Sequence, residues 1–226
     1  MPGTAVMPRP VAVLFDLDGT LVDSAPDLAG AANDLRQRHG LPPLPHAQLR
    51  PMVGAGARGM VGVAFGVTPA DDAFPALRDA FLDRYAERLL QDTRLFDSVH
   101  GMLSALEAAD LRWGIVTNKA MRFTDPIVRG LGLAERAAVV IAGDTTPHAK
   151  PHPAPLLEAA RRLGVAPSAC AYVGDDLRDI EAGRAAGMAT LAAAWGYLGQ
   201  GTPLAEWGAD HVLDRPEHLL PWLALA

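Results

Sequence analysis

Cysteine is almost absent from this chain of 226 residues, with Cys170 standing alone. A lone thiol excludes an internal disulfide and a zinc site built from several cysteines. It opens an apolar run and reads as a buried, inert side chain. Long hydrophobic runs are lacking too. No stretch approaches the ~18 apolar residues of a membrane-spanning helix, and the opening residues, MPGTAVMPRP, do not read as a signal peptide. The expectation is a cytoplasmic protein with no membrane partner. Basic charge is also short. The formal net charge of −6 argues against a nucleic-acid partner, which would demand a basic face. Repeats and low-complexity tracts are missing.

What the chain does have is apolar material. Half of the residues are hydrophobic, enough for a sizeable core, and the length suits one large domain or a domain carrying an insert. Residues 1–10 contain Pro2, Pro8 and Pro10 and read as a mobile lead-in. Val11–Ser24, VAVLFDLDGTLVDS, then organises the rest. Val11 to Phe15 suit a short buried strand. The run stops at Asp16, Asp18 follows, and Gly19 frees the backbone to turn. Ligands of open α/β sheets gather beyond the carboxyl ends of the strands, so two acids there suit a site better than a core.

Ser24 and Pro26 suit a helix start, with Leu28, Ala31, Ala32 and Leu35 on its apolar face; Gly40 ends it, and Leu41–Pro45 is a Pro-rich turn. From Gln48 to about Gln91 the pattern is helical, with Phe74, Leu77, Phe81, Tyr85 and Leu89 at helical spacing. The second half alternates. Trp113–Thr117, Val139–Ala142, Cys170–Gly174, Ala189–Ala193 and His211–Leu213 read as strands. Helices fit at Val99–Ala109, Phe123–Gly130, Pro153–Leu163, Leu177–Ala186 and Pro216–Leu225. That rhythm predicts a parallel sheet covered on both faces. The expected fold is α/β, with residues 1–23 and 92–226 forming the core and 24–91 an inserted helical cap.

Four strand ends carry reactive side chains. At Asp16 and Asp18, one carboxylate can attack phosphorus while the second protonates the leaving group and later activates water. Both must approach a phosphate dianion, which calls for cations, usually Mg²⁺ and a lysine. Thr117-Asn118-Lys119 offers a hydroxyl and N–H groups for phosphate oxygens, although Thr117 also suits a helix N-cap. Lys150 precedes Pro151; taken alone it is an ordinary surface lysine. Gly174-Asp175-Asp176 with Asp179 can complete an oxygen-rich metal site, or simply charge a helix start. Each bland reading stands singly, but four such ends on one rim of one sheet point to a site.

Phe15–Ser24, Ile115–Lys119, Lys150–Pro155 and Tyr172–Met188 together resemble haloacid-dehalogenase superfamily phosphatases with a helical cap, close to the phosphoglycolate phosphatases. The resemblance implies a Rossmann-like three-layer parallel sheet, with the first strand between those ending at Thr117 and Asp175. It implies Asp16 as nucleophile and Asp18 as general acid/base. Thr117, Asn118 and Lys150 would bind phosphate, and Asp16, the Asp18 carbonyl and Asp175 would hold Mg²⁺. Asp176 or Asp179 would orient or share that role. The chain departs from the family where Phe96-Asp97-Ser98-Val99 replaces the usual Pro-Gly turn.

Gly54-Ala-Gly56-Ala-Arg58-Gly59 matches G-x-G-x-x-G, but no strand precedes it and a dinucleotide site does not follow. In similar phosphatases this is the cap loop that chooses the leaving group. Gly54, Gly56 and Arg58 are therefore candidate specificity residues, with Arg58 pairing a substrate carboxylate; Arg122 is a further candidate. Gly143–Pro155 resembles phosphoglycolate phosphatases. Arg112–Phe123, Ala57–Phe65 and Gly208–Leu213 resemble N-acetylmuramic acid 6-phosphate phosphatases. The expected partner is a small phosphate ester, phosphoglycolate first. A sugar phosphomutase and a non-catalytic phosphate-binding module are the alternatives, and both a monomer and a homodimer stay open.

Overall fold

Strand β1 (Ala12–Phe15) is buried along its whole length. Its side chains alternate between two faces, so Val13 and Phe15 enter one apolar cluster while Ala12 and Leu14 enter another. The other strands are β2 (Val22–Asp23), β3 (Arg94–Leu95), β4 (Arg112–Val116), β5 (Val139–Ile141), β6 (Cys170–Gly174), β7 (Ala189–Ala193) and β8 (His211–Leu213). In this computed structural model, which describes residues 9–199 and 201–225, six of them form a parallel sheet in the order β5-β4-β1-β6-β7-β8. β1 thus lies between β4 and β6, as expected. Most of the expected lead-in, residues 1–8, lies outside the described residues.

Nine α-helices accompany the strands among the described residues: α1 (Ala25–Arg38), α2 (His46–Leu49), α3 (Gly56–Phe65), α4 (Phe74–Arg88), α5 (Val99–Ala108), α6 (Met121–Gly130), α7 (Ala154–Leu163), α8 (Leu177–Ala185) and α9 (Leu219–Trp222). Helices α5, α6 and α9 cover one sheet face, and α7 and α8 cover the other. The result is a three-layer Rossmann-like core. Trp113 on β4 anchors the first layer. Its ring meets Phe15 edge-on at 6.5 Å and its indole N–H donates to Glu107 on α5. No helix among the described residues is long and apolar enough to cross a membrane.

Helices α1 to α4 build an apolar cluster of their own around Leu35, Met60, Phe81 and Tyr85. Two connections join this block to the sheet. On the way out, β2 pairs with β3 in a two-stranded ribbon. On the way back, the buried Asp27 carboxylate accepts the Asp92 and Thr93 amides and the Thr93 hydroxyl, at 2.7–3.2 Å.

The structure corrects three local expectations. Helical structure between Gln48 and Gln91 is interrupted by a 3₁₀ turn at Arg50–Ala55, where Pro51 removes a donor, and by non-helical residues after Gly66. The helix expected over Pro216–Leu225 is a 3₁₀ turn, Pro216–His218, followed by the short α9, whose Pro221 has no N–H to extend it. The ribbon β2/β3 was not expected at all.

Candidate active site

Asp16 follows β1 directly, and its amide donates to Val173 O across the sheet at 2.9 Å. That bond fixes the carboxylate at the strand's end beside β6. Lys150 Nζ stands 2.9 Å from Asp16 Oδ1 and 2.7 Å from Asp179 Oδ1. The same buried ammonium also bonds Val116 O and the Tyr172 hydroxyl, so it is shared among four oxygens, and Asp16 Oδ1 is buried with no partner besides it. Asn118 sets the lysine in place. Its Oδ1 accepts the Lys150 amide and its Nδ2 donates to the Lys150 carbonyl, both at 2.9 Å. The Asn118 side chain is therefore spent on Lys150. Thr117 is buried at the end of β4, its hydroxyl accepting the Lys119 amide at 3.1 Å.

Asp175 ends β6 and is held from two sides. The Thr20 hydroxyl donates to Oδ1 and the Tyr197 amide to Oδ2, each at 2.8 Å. The backbone presses close around it. A Cβ on Gly19 would fall 2.1 Å from Asp175 Oδ2, and Gly19 has a left-handed φ of 87°. Glycine is thus required there twice, for space and for conformation.

Asp16, Asp175 and Asp179 offer oxygens that all lie within 4.8 Å of one another. Burial pushes the Asp16 carboxyl up to about 6, with Lys150 pulling down and Asp179 and Asp18 adding to the rise. Burial also lifts Asp175 well above the carboxylate range, reinforced by Asp16 and Asp179. Although burial works against it, Lys150 is held above its ordinary value by Asp16 and Asp179. Three crowded carboxylates face one ammonium, which pairs with only two of them. Such a hard-oxygen donor set, short of positive charge, fits a divalent cation.

The sequence left Asp176 and Asp179 unassigned, and the structure separates them. Asp179 is fully buried, pairs with Lys150, and accepts from the Tyr172 hydroxyl at 3.1 Å. Asp176 caps α8 and pairs with Arg178 at 2.7 Å. Arg178 also donates to Gly54 O, tying the rim of the sheet to the helical block.

Asp18 takes its partners outside the acidic cluster. Both its oxygens accept from Lys119 Nζ, at 2.9 and 3.0 Å, and the Ser24 hydroxyl donates to Oδ1. Lys119 Nζ also lies 4.8 Å from the centre of the Tyr85 ring on α4. Against the cost of burial, Asp18 and Tyr85 keep this lysine above its ordinary value.

A cavity of about 370 Å³ opens between the strand ends and the helical block. Asp16, Asp18, Thr117, Asn118, Lys150 and Asp175 all line it, as do Gly54 and Gly56. Arg58 does not. It is exposed on α3; Lys119, Arg122 and Arg178 are the additional cations that line the cavity. Sequence reasoning missed Lys119, Tyr172 and Tyr197. Lys119 sits inside a motif already singled out. Tyr172 is a hydroxyl within an otherwise apolar strand. Nothing local marks Tyr197.

Buried acids and a lysine gather beyond the carboxyl ends of a parallel sheet, beside a cavity that the helical block also lines, an arrangement suited to carboxylate chemistry on a bound ligand. Comparison with known proteins gives the family. The sequence pattern of the haloacid dehalogenase-like hydrolases matches residues 13–193, and the chain belongs to that family. It is 52% identical over 211 residues to a phosphoglycolate phosphatase of Xanthomonas campestris pv. campestris, covering 93% of this chain and 95% of that one. It is 46% identical over 209 residues to an N-acetylmuramic acid 6-phosphate phosphatase of Pseudomonas aeruginosa, covering 92% of each. The crystal structure of a predicted phosphoglycolate phosphatase from Haemophilus somnus 129PT superposes with a TM-score of 0.84 at 30% identity, covering 96% of this chain and 99% of that one.

Proposed function

We propose that the protein is a Mg²⁺-dependent phosphomonoesterase that works through an aspartyl-phosphate on Asp16. The observation that carries this reading is the meeting of Asp16, Lys150 and Asp175 beyond the carboxyl ends of the sheet. Residues 1–23 and 92–226 act as the catalytic core, and 24–91 as a cap over the cavity.

In the first step an Asp16 oxygen attacks phosphorus and the ester P–O bond breaks. Its electron pair leaves on the alkoxide, which takes a proton from Asp18. In the second step water attacks the phosphorus of the aspartyl-phosphate while Asp18 takes its proton, and the P–O bond to Asp16 breaks. Thr117, the backbone amides beside Asn118, and Lys150 hold the phosphate oxygens. Asp179 keeps Lys150 aimed at Asp16. Asp16, Asp175 and the Asp18 carbonyl would hold Mg²⁺, which when bound neutralises repulsion between the phosphate and the carboxylates. Cap closure would exclude water from the first step.

The substrate is a small carboxylated phosphate ester, 2-phosphoglycolate first, on the strength of the 52% identity to a protein of that name. A second reading, N-acetylmuramic acid 6-phosphate, is favoured by the cavity. At about 370 Å³ it has the size typical of sites for drug-sized ligands, more than a two-carbon acid fills. The enzyme is placed in the cytoplasm, as a monomer or homodimer. Phosphate release from the two esters, measured side by side at equal concentrations with Mg²⁺, decides between them. Asp16→Asn should abolish release from both while leaving the circular dichroism spectrum unchanged; retained turnover removes Asp16 from its role.

A further inference from the structure

We propose that Tyr197 is a positioning residue that couples cation binding at Asp175 to the docking of α1, the first helix of the cap. The inference rests on the reading that Asp16 and Asp175 hold Mg²⁺. It comes from one residue that reaches both places. Tyr197 lies in the segment after β7, and its backbone N–H donates to Asp175 Oδ2 at 2.8 Å. Its hydroxyl accepts the Ser24 and Ala25 amides, at 2.9 and 3.1 Å, and donates to Asp23 Oδ1 at 2.9 Å.

The hydroxyl contacts are unusual for their target. The first amides of a helix have no partner inside it, and a side chain at the N-cap normally supplies one. Ser24 holds that position in α1 but makes no such bond, because its hydroxyl is turned to Asp18. The Tyr197 phenol takes both amides instead, from 172 residues away in sequence, and shares the Ala25 amide with Asp23 Oδ1 at 3.3 Å.

The segment is gripped from the cap as well. Arg50, in the 3₁₀ turn of the helical block, lies 4.8 Å over the Tyr197 ring and donates to Gly196 O at 3.3 Å. Gly196 leaves no slack, since a Cβ there would fall 2.1 Å from Asp175 Cβ. Gly196 and Tyr197 therefore touch the acid, the point where the chain leaves the core, and the cap. A phenol has only two side-chain torsions, so displacement of the Ser24–Ala25 turn must break its bonds or drag the amide that fixes Asp175. Whatever orders Asp175 then favours docked α1, and docked α1 favours cation binding by the same factor.

The test is amide hydrogen exchange together with calorimetric Mg²⁺ titration, neither of which requires turnover. In the wild-type protein, Mg²⁺ should slow exchange of the Ser24 and Ala25 amides by roughly fivefold or more, the lower end of ordinary coupling. Tyr197→Phe keeps the ring and the amide bond to Asp175 but loses the hydroxyl. It should bind Mg²⁺ roughly fivefold more weakly, and exchange at Ser24 and Ala25 should no longer respond to Mg²⁺. Unchanged Mg²⁺ affinity in Tyr197→Phe would overturn the coupling and leave the hydroxyl a helix cap. Should that variant not fold, the wild-type exchange decides alone: Mg²⁺ that binds without slowing Ser24 and Ala25 overturns the coupling. Wild-type protein that binds no Mg²⁺ overturns the metal reading as well.

Discussion

Lys119 places its ammonium 2.9 and 3.0 Å from the two carboxylate oxygens of Asp18. This pair is separate from the one between Lys150 and Asp16, so each acid of the first motif has its own lysine. The division fits two jobs, since a nucleophile must meet phosphorus and a proton donor must meet the leaving oxygen. Lys119 follows β4 and contacts the Tyr85 ring of the helical block, so the Asp18 carboxylate is held toward that block's side of the cavity.

Lys119→Met tests that division. The variant keeps an apolar stem and loses both bonds to Asp18. With alkyl phosphates kcat should fall, by up to about 100-fold, because Asp18 loses the group that aims it at the leaving oxygen. With an aryl phosphate, whose leaving group departs without a proton, the loss should stay below about tenfold. Steady-state kinetics on the two substrate types give the comparison. Equal losses would remove Lys119 from the handling of Asp18.

The crowded acids predict a definite pH dependence for the metal-free protein. Burial lifts Asp16 from 3.8 to about 6, and Asp175 moves the same way. The folded state then keeps protons that the unfolded chain gives up, so stability falls as pH rises from about 4 to 6. Asp34 acts outside this window: its partial burial is outweighed by hydrogen bonds from Arg84 and Arg88, which hold it below 3.8. A cation competes with protons for the same oxygens. Added Mg²⁺ should therefore raise Tm little near pH 5 and much more near pH 7.5, and Asp16→Asn should flatten the metal-free profile. Thermal melts with chelator and with Mg²⁺ provide the check. A metal-free Tm that climbs between pH 4.5 and 6.5 would contradict the burial argument.

Ser98 explains how the chain manages without the Pro-Gly turn of similar phosphatases. It precedes α5 with a left-handed φ of 67° and makes no side-chain cap bond. The turn keeps a conformation suited to glycine and fills it with a residue that is strained there by about 1–2 kcal/mol. Ser98→Gly removes that strain but adds freedom to the unfolded chain worth about 0.5–1 kcal/mol. The net gain should be about 0.5–1 kcal/mol, raising Tm by roughly 1–4 °C. Kinetics should not change. A lower Tm would show that the hydrogen bond of Ser98 to the Glu217 carboxylate outweighs the strain.

The sheet was legible because its inner strands are buried on both faces and read as apolar runs, as Cys170–Gly174 does. The acids were legible because Asp16 and Asp175 break those runs at the site edge. Three things were not. A ribbon of two residues per strand, Val22–Asp23 with Arg94–Leu95, is too short to show a period. The partners of Asn118 and Lys119 depend on side chains brought together only by folding, and both differ from the phosphate contacts that the motif suggests. Tyr197 caps a helix more than 170 positions away, so no local pattern points to it.

Arg58 and Arg122 set the last prediction. The glycine-rich pattern around Arg58 suggests a reader of substrate carboxylate, but the structure leaves Arg58 exposed on α3 and outside the cavity wall. Arg122, at the start of α6, lines the cavity with its guanidinium 4.5 Å over the Phe123 ring. Stacking restrains the side chain and leaves its N–H edges free for a carboxylate, at little further entropic cost. Arg122→Ala should raise KM for a carboxylated phosphate ester about tenfold, in line with about 1.5–3 kcal/mol for a charged hydrogen bond lost at a partly exposed site. It should leave KM for an aryl phosphate without a carboxylate within about twofold, and Arg58→Ala should change neither by more than that. Measuring both variants on both substrates separates charge recognition from general damage to the cavity. A large KM effect confined to Arg58→Ala and the carboxylated ester would mean that the cap swings Arg58 inward when substrate binds, and would return the assignment to the glycine-rich loop.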